Sequence, residues 1–217
     1  MISWCVWLAI GLVGAVMVGI GEYMLHFHPS GPAGEIDMLL NVDLEQARLG
    51  HLIALPFIPF YFGGYIGLWQ MFKKQTPVAA SVVLSLGVVA FTCGGVWISS
   101  RYMGAFILQR DPVDSAPYAE AYEMYASSYQ IIVWGLRILV AGISAGLIYC
   151  IVKSKHVSNW FIALNPIAVL IVVISSLFWL PPLGIHIAPM AMNVAHFVLF
   201  GAFFILSVRM QTGETAA

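Results

Sequence analysis

Glu22 and His26 stand one helical turn apart inside an otherwise apolar stretch. A carboxyl beside an imidazole is a small unit able to give a proton to a bound molecule and take one back. Such groups are costly in hydrocarbon, so each is expected to face a partner, a cavity or the interior of a helix bundle. Glu22 and His26 are therefore the candidate catalytic acid/base pair. Arg101 and Arg137 would hold an anionic head group or developing negative charge, and His51, Asn193 and His196 would complete the ligand-binding lining. The competing reading of the same residues is a Glu22–Arg137 ion pair that only fixes helix order.

Metal and haem chemistry use the same side chains. Zinc-type coordination needs three or four converging ligands, which His26, His51, His186 and Glu22 supply only where three helices meet. No HExxH or HxxxH spacing is present, so a metal is not the favoured reading and no metal ligand is assigned. His26 and His51 lie at like depth, as axial haem ligands must, but both fall near the expected membrane boundary. The sequence leaves any cofactor unspecified.

The elements that position these residues are set by composition. Of 217 residues 61% are hydrophobic and only 9% charged, with mean hydropathy +0.91. A soluble domain would carry about 25% charged residues. An integral membrane protein is the class that remains. A net charge of −1 with nine basic residues offers no patch for nucleic acid. Cys5, Cys93 and Cys150 are odd in number and lie within apolar segments, so they read as small buried hydrophobes rather than a disulfide framework.

A membrane-crossing helix needs about 20 apolar residues. Six stretches reach that length: 2–28, 50–72, 78–100, 130–152, 160–180 and 186–208. The first has no positive leader region and no A-x-A site, so it reads as a retained helix. The expectation is one all-α domain over 1–217, a bundle of six transmembrane helices. A short interfacial helix over 116–127 is expected in the third loop, capped by Ser115, started by Pro117 and striped by Tyr118, Tyr122, Tyr125 and Tyr129. That stripe reads as an interfacial aromatic belt or as a lid over an apolar ligand. Pro56 and Pro59 should bend the second span, and Asn165-Pro166 the fifth.

Lys73, Lys74, Lys153, Lys155 and Arg209 fall on the side that six spans assign to both termini, so both termini are expected in the cytoplasm of a bacterial-type inner membrane. The opposite loops are acidic, with Glu35, Asp37, Asp43, Glu45, Asp111, Asp114, Glu120 and Glu123. At a rise of ~1.5 Å per residue, Glu22 lies roughly 28 Å from the cytoplasmic end, and Arg137 and Asn193 roughly 24 Å. His196 falls near mid-membrane. Gly11, Ala15, Gly19, Glu22 and His26 share one helical face, and Gly87, Gly94 and Arg101 share another. Small residues let helices approach closely, so each face is polar outside and tightly packed inside.

Ala47-Arg48-Leu49-Gly50-His51 through Pro56, Gly63-Gly64-Tyr65, and Leu180-Pro181-Pro182 followed by Ala188-Pro189 and Asn193 resemble patterns in uncharacterised bacterial six-helix membrane families of unknown function. The resemblance covers two of six helices and implies no activity. Walker, GxSxG, redox CxxC and dinucleotide motifs are absent, and no internal repeat is evident. The expected function is therefore recognition of an amphiphilic, lipid-like small molecule in an outward-facing polar pocket, with or without acid/base turnover. A small transporter or channel would need polar residues through the whole thickness, and the inner half offers few. A structural subunit, in a homo-oligomer or a larger membrane complex, would use the glycine faces and need no pocket.

Overall fold

The computed structural model describes residues 3–27, 39–110 and 115–212, and among these every regular element is helical. The helices are α1 (Trp4–His26), α2 (Leu44–Phe57), α3 (Phe60–Phe72), α4 (Pro77–Leu108), α5 (Ala116–Lys153), α6 (Pro166–Trp179), α7 (Pro181–Ile187) and α8 (Ala191–Thr212). Tighter 3₁₀ turns occupy Asn159–Leu164 and Ala188–Met190. His28, Glu35, Asp37, Asp111 and Asp114 lie outside the described residues.

Five segments are long and apolar enough to cross a membrane: Trp4–His26, Leu44–Phe72, Pro77–Leu108, Ala116–Lys153 and Pro181–Thr212. The stretch expected as a span over 160–180 is instead divided. Pro166 has no N–H to donate and disfavours a helical Asn165, so the helix cannot run through this pair. Beyond the break, α6 is 14 residues and about 21 Å long, short of a hydrocarbon core of ~30 Å. Its first N–H groups would be orphaned inside the bundle, and side chains meet them. Asn165 Oδ1 accepts from Ile167 N at 3.0 Å and Ala168 N at 3.2 Å, and Ser144 Oγ on α5 accepts from Ile167 N at 3.3 Å.

The separate interfacial helix expected over 116–127 is not formed. Ser115 caps the helix as expected, accepting from Tyr118 N at 3.2 Å, but α5 then runs unbroken for 38 residues, roughly 57 Å. Nothing between Ala116 and Lys153 breaks it after Pro117, which sits harmlessly in the first turn. The second span starts earlier than expected, where Asp43 accepts from Gln46 N at 2.7 Å, and it bends at Ile58-Pro59 between α2 and α3.

Helix neighbours run in the order α5, α4, α2–α3, α1, α8 and α6, and the α5–α6 seam that closes this ring is thin. Packing is tightest around α1. A Cβ on Gly21 would lie 2.5 Å from the Gly50 carbonyl oxygen and 2.7 Å from Ala54 Cβ, and one on Gly11 would lie 2.5 Å from Gly64 Cα. In lipid, helices are held by such close contact because no hydrophobic gain favours association. The start of α1 meets the end of α8, where Gln211 Nε2 donates to Ser3 Oγ at 2.7 Å. The turn between α3 and α4 meets the end of α5, where Lys155 N donates to Gln75 Oε1 at 3.0 Å. Lys73, Lys153 and Arg209 end their helices at the pole these contacts define, called here the basic pole. Apolar side chains cover the outside, with Phe178 and Trp179 both 81% exposed, which suits a lipid-facing surface and not an aqueous one.

Gly21→Ala should lower stability by about 1–3 kcal/mol, because a backbone carbonyl cannot move aside. Gly135→Ala, whose added Cβ meets nothing within 4 Å, should be neutral or stabilising. Thermal unfolding in mild detergent separates the two, and equal midpoints would contradict this packing.

Candidate functional site

Three helices meet at Asn193. It is presented by the first turn of α8, reached across a small-residue contact in which a Cβ on Gly19 would lie 3.2 Å from Asn193 Cβ. Asn193 Nδ2 donates to Glu22 Oε2 on α1, and the Tyr61 hydroxyl on α3 donates to Asn193 Oδ1. All three are buried. A carboxylate can only accept, so the Asn193 amide is held in one orientation, N–H toward Glu22.

One turn further along both helices, the Tyr65 hydroxyl lies 2.8 Å from His196 Nε2, and His196 Nδ1 lies 2.8 Å from the Met192 carbonyl. The carbonyl can only accept, so Nδ1 carries hydrogen and, in the neutral ring, Nε2 accepts from Tyr65. The two hydrogen-bonded groups do not join. Tyr61 meets His196 edge-on, with ring centroids 5.5 Å apart, and Phe91 packs against Tyr61 at 3.6 Å and His196 at 4.8 Å.

Beside this ladder lies a cavity of about 510 Å³ between α1, α4, α5, α6 and α8. Most of its wall is apolar, including Val18, Phe91, Val140, Leu170 and Ile174. Polar character enters through Glu22, Asn193 and Arg137, with Trp97 and Tyr129 alongside. Gly94 lines it too, and a Cβ there would meet nothing within 4 Å. The cavity lies along the thin α5–α6 seam. Arg137, exposed and over the Trp134 ring at 4.8 Å, marks one side of that seam, and Ile174, 49% exposed, marks the other.

The structure thus brings Glu22, Asn193 and Arg137 onto one cavity and distributes the other candidates around it. Among the described residues, no hydrogen bond or ion pair joins Glu22 to His26 or to Arg137. His26 turns its Nδ1 to the Pro189 carbonyl at 3.4 Å, and Pro189 is itself a lining residue. Arg101, 1% exposed, lies on α4 one turn beyond Trp97 and stacks on Trp97 at 5.0 Å and Tyr129 at 5.7 Å. His196 is enclosed in the bundle, and His51 packs against Tyr102 at 5.2 Å outside the cavity wall. His186 is 2.9 Å from the Tyr23 hydroxyl. The convergence of His26, His51, His186 and Glu22 that a metal would need is not formed, and no group of three His, Cys, Asp or Glu side chains among the described residues is placed to hold an ion.

Tyr61, Tyr65 and Trp97 are not among the site residues expected from sequence, whereas Tyr129 belongs to the stripe read there as a belt or a lid. A signal for the first two exists, because Tyr61 and Tyr65 lie one turn apart in one span and Asn193 and His196 one turn apart in another. Only the packing of α3 against α1 and α8 makes those pairs face each other. No family model, curated protein or solved structure matches this chain.

Asn193→Leu strands a carboxyl and a hydroxyl and should cost about 3 kcal/mol or more, whereas Tyr61→Phe strands one amide oxygen and should cost about 1–3 kcal/mol. In a double-mutant cycle of Glu22→Gln with Asn193→Leu, the double variant should lose less than the sum of the singles. Additive losses in thermal unfolding would contradict the bridge.

Proposed function

We propose that this chain is a multi-pass membrane protein that binds an amphiphilic, lipid-like small molecule in the cavity between α1, α4, α5, α6 and α8. One observation carries the reading: a mostly apolar cavity of about 510 Å³ whose wall holds a few polar groups, Glu22 and Asn193 within the bundle and Arg137 at the seam. Ligand pockets for small molecules have this volume and this ratio of apolar wall to placed polar groups. The thin α5–α6 seam gives the ligand a route from the bilayer, past the exposed Arg137 and Trp134. Within this reading Glu22 is the acid/base group able to touch the ligand, held by Asn193, and His26 is held to the Pro189 carbonyl of the lining.

The same reading takes the 3₁₀ turn at Asn159–Leu164 and α6 together as a sixth crossing. Backbone that is not α-helical is tolerated at membrane depth when protein encloses it and its polar groups are met, as Asn165 and Ser144 do here. Ser3 and Gln211 at one pole support both termini on one side, and the lysines of that pole make it cytoplasmic, in a bacterial-type inner membrane. Conduction is the weaker reading. Between the cavity and the basic pole stand the buried ring pairs Tyr65–Phe200 and Phe72–Phe203, and among the described residues no hydrogen bond continues the Tyr65–His196 pair through them. No observation singles out a partner complex.

Gly94→Leu tests the proposal because its side chain enters open space and should leave the fold intact. In lipid nanodiscs, the variant should unfold at or near the wild-type temperature yet bind an 18-carbon amphiphile about tenfold more weakly or worse. Undiminished binding would place the ligand elsewhere.

A further inference from the structure

Four buried polar atoms near the end of the cavity opposite the basic pole have no hydrogen-bond partner among the described residues: Arg101 Nε, Arg101 Nη2, Trp97 Nε1 and His26 Nε2. They belong to one cluster. The Trp97 ring is 5.1 Å from the His26 ring and 5.0 Å from the Arg101 guanidinium, and Trp97 lines the cavity. Gly94, Trp97 and Ile98 line the cavity from the face of α4 on which Arg101 is the next residue, so the guanidinium lies just beyond the lined wall, behind Trp97. Buried N–H groups in folded proteins are almost always paired, and leaving one unpaired carries the full desolvation cost of the group. Three of these four atoms are N–H donors in every protonation state open to them, and a fully buried arginine that makes no ion pair among the described residues adds a charge that needs an acceptor.

The charges around the cavity point the same way. On the wall Arg137 and an ionised Glu22 balance, and Arg101 just beyond it leaves one positive charge in excess at this end. Glu22 spends one oxygen on Asn193 and acts on Arg101 only through space, with no hydrogen bond or ion pair between them among the described residues. We infer, on the basis of the amphiphile reading, that Arg101 and Trp97 form an oxyanion subsite that takes the head of an acidic amphiphile, a carboxylate or a phosphate ester. The guanidinium offers Nε and Nη2, the edge that pairs two oxygens of one acid group, and Trp97 Nε1 offers a third donor. The chain then lies along Gly94, Phe91, Val140 and Leu170 toward Ile167.

The test compares three probes of one chain length in phosphatidylcholine nanodiscs: oleate, oleoyl lysophosphatidic acid and the neutral oleyl alcohol, with binding followed by thermal shift and by tryptophan fluorescence. Wild type should prefer at least one acid over the alcohol by about tenfold or more, and whichever acid is preferred identifies the head as carboxylate or phosphate. Arg101→Gln should bring acids and alcohol to nearly equal affinity. If that variant fails to fold, Trp97→Phe keeps the ring, loses the N–H and should reduce the preference several-fold, about 1 kcal/mol by the usual conversion. Equal affinity of wild type for acids and alcohol overturns the oxyanion subsite and leaves amphiphile binding standing. A preference that survives in both variants, or moves with Arg137→Gln alone, overturns it as well. Failure of all three probes to bind overturns both readings together.

Discussion

A carboxyl group among apolar helices must be satisfied, and the way Glu22 is satisfied determines the middle of this protein. Asn193 is the one side chain that meets Glu22 with a donor and Tyr61 with an acceptor, so α1, α3 and α8 are tied at a single amide. The tie requires α8 to come close to α1, which Gly19 permits. It also requires α3 to lean on α1, which Gly11 and Gly64 permit by leaving backbone against backbone. A hydrogen bond of this kind is worth more by what its loss exposes than by what it adds, because nothing else nearby can take over its groups.

The rest of the architecture divides into a tight side and a loose one. At Gly11, Gly14 and Gly21 of α1 the neighbouring backbone or small side chain comes into close contact, and dispersion between closely packed helices replaces the hydrophobic effect that lipid does not supply. Across the bundle, α6 is short and starts late because Pro166 ends the preceding turn, so it touches α5 over little of its length. The cavity is the space that results. Its polar groups lie where the tight side meets the loose one, and Arg101 sits behind Trp97 and Tyr129 at its end.

Much of this is legible in the sequence. The all-helical class with several membrane-length apolar helices, the bend near Pro59 and the small-residue face of the first helix all derive from hydropathy and proline chemistry. Three features are not legible there. The break at Asn165-Pro166 reads as a kink in sequence, whereas the fold makes it a helix start, because Ser144 from another helix helps to satisfy the freed N–H groups. The pairing of Glu22 with Arg137 is expected from like depth, but Arg137 faces the seam over Trp134 and Asn193 takes its place. Tyr61 and Tyr65 carry a visible one-turn spacing without a visible partner. In each case the missing input is which helices are neighbours.

Whether the cavity holds an amphiphile is decided by native mass spectrometry of the full chain, released from gently solubilised membranes. A discrete, stoichiometric mass above that of the protein is expected, released at high collision energy and bearing a single acid group on a long chain. A protein that leaves the membrane with no bound molecule, and takes up none when amphiphiles are offered, would contradict the binding role assigned to the cavity.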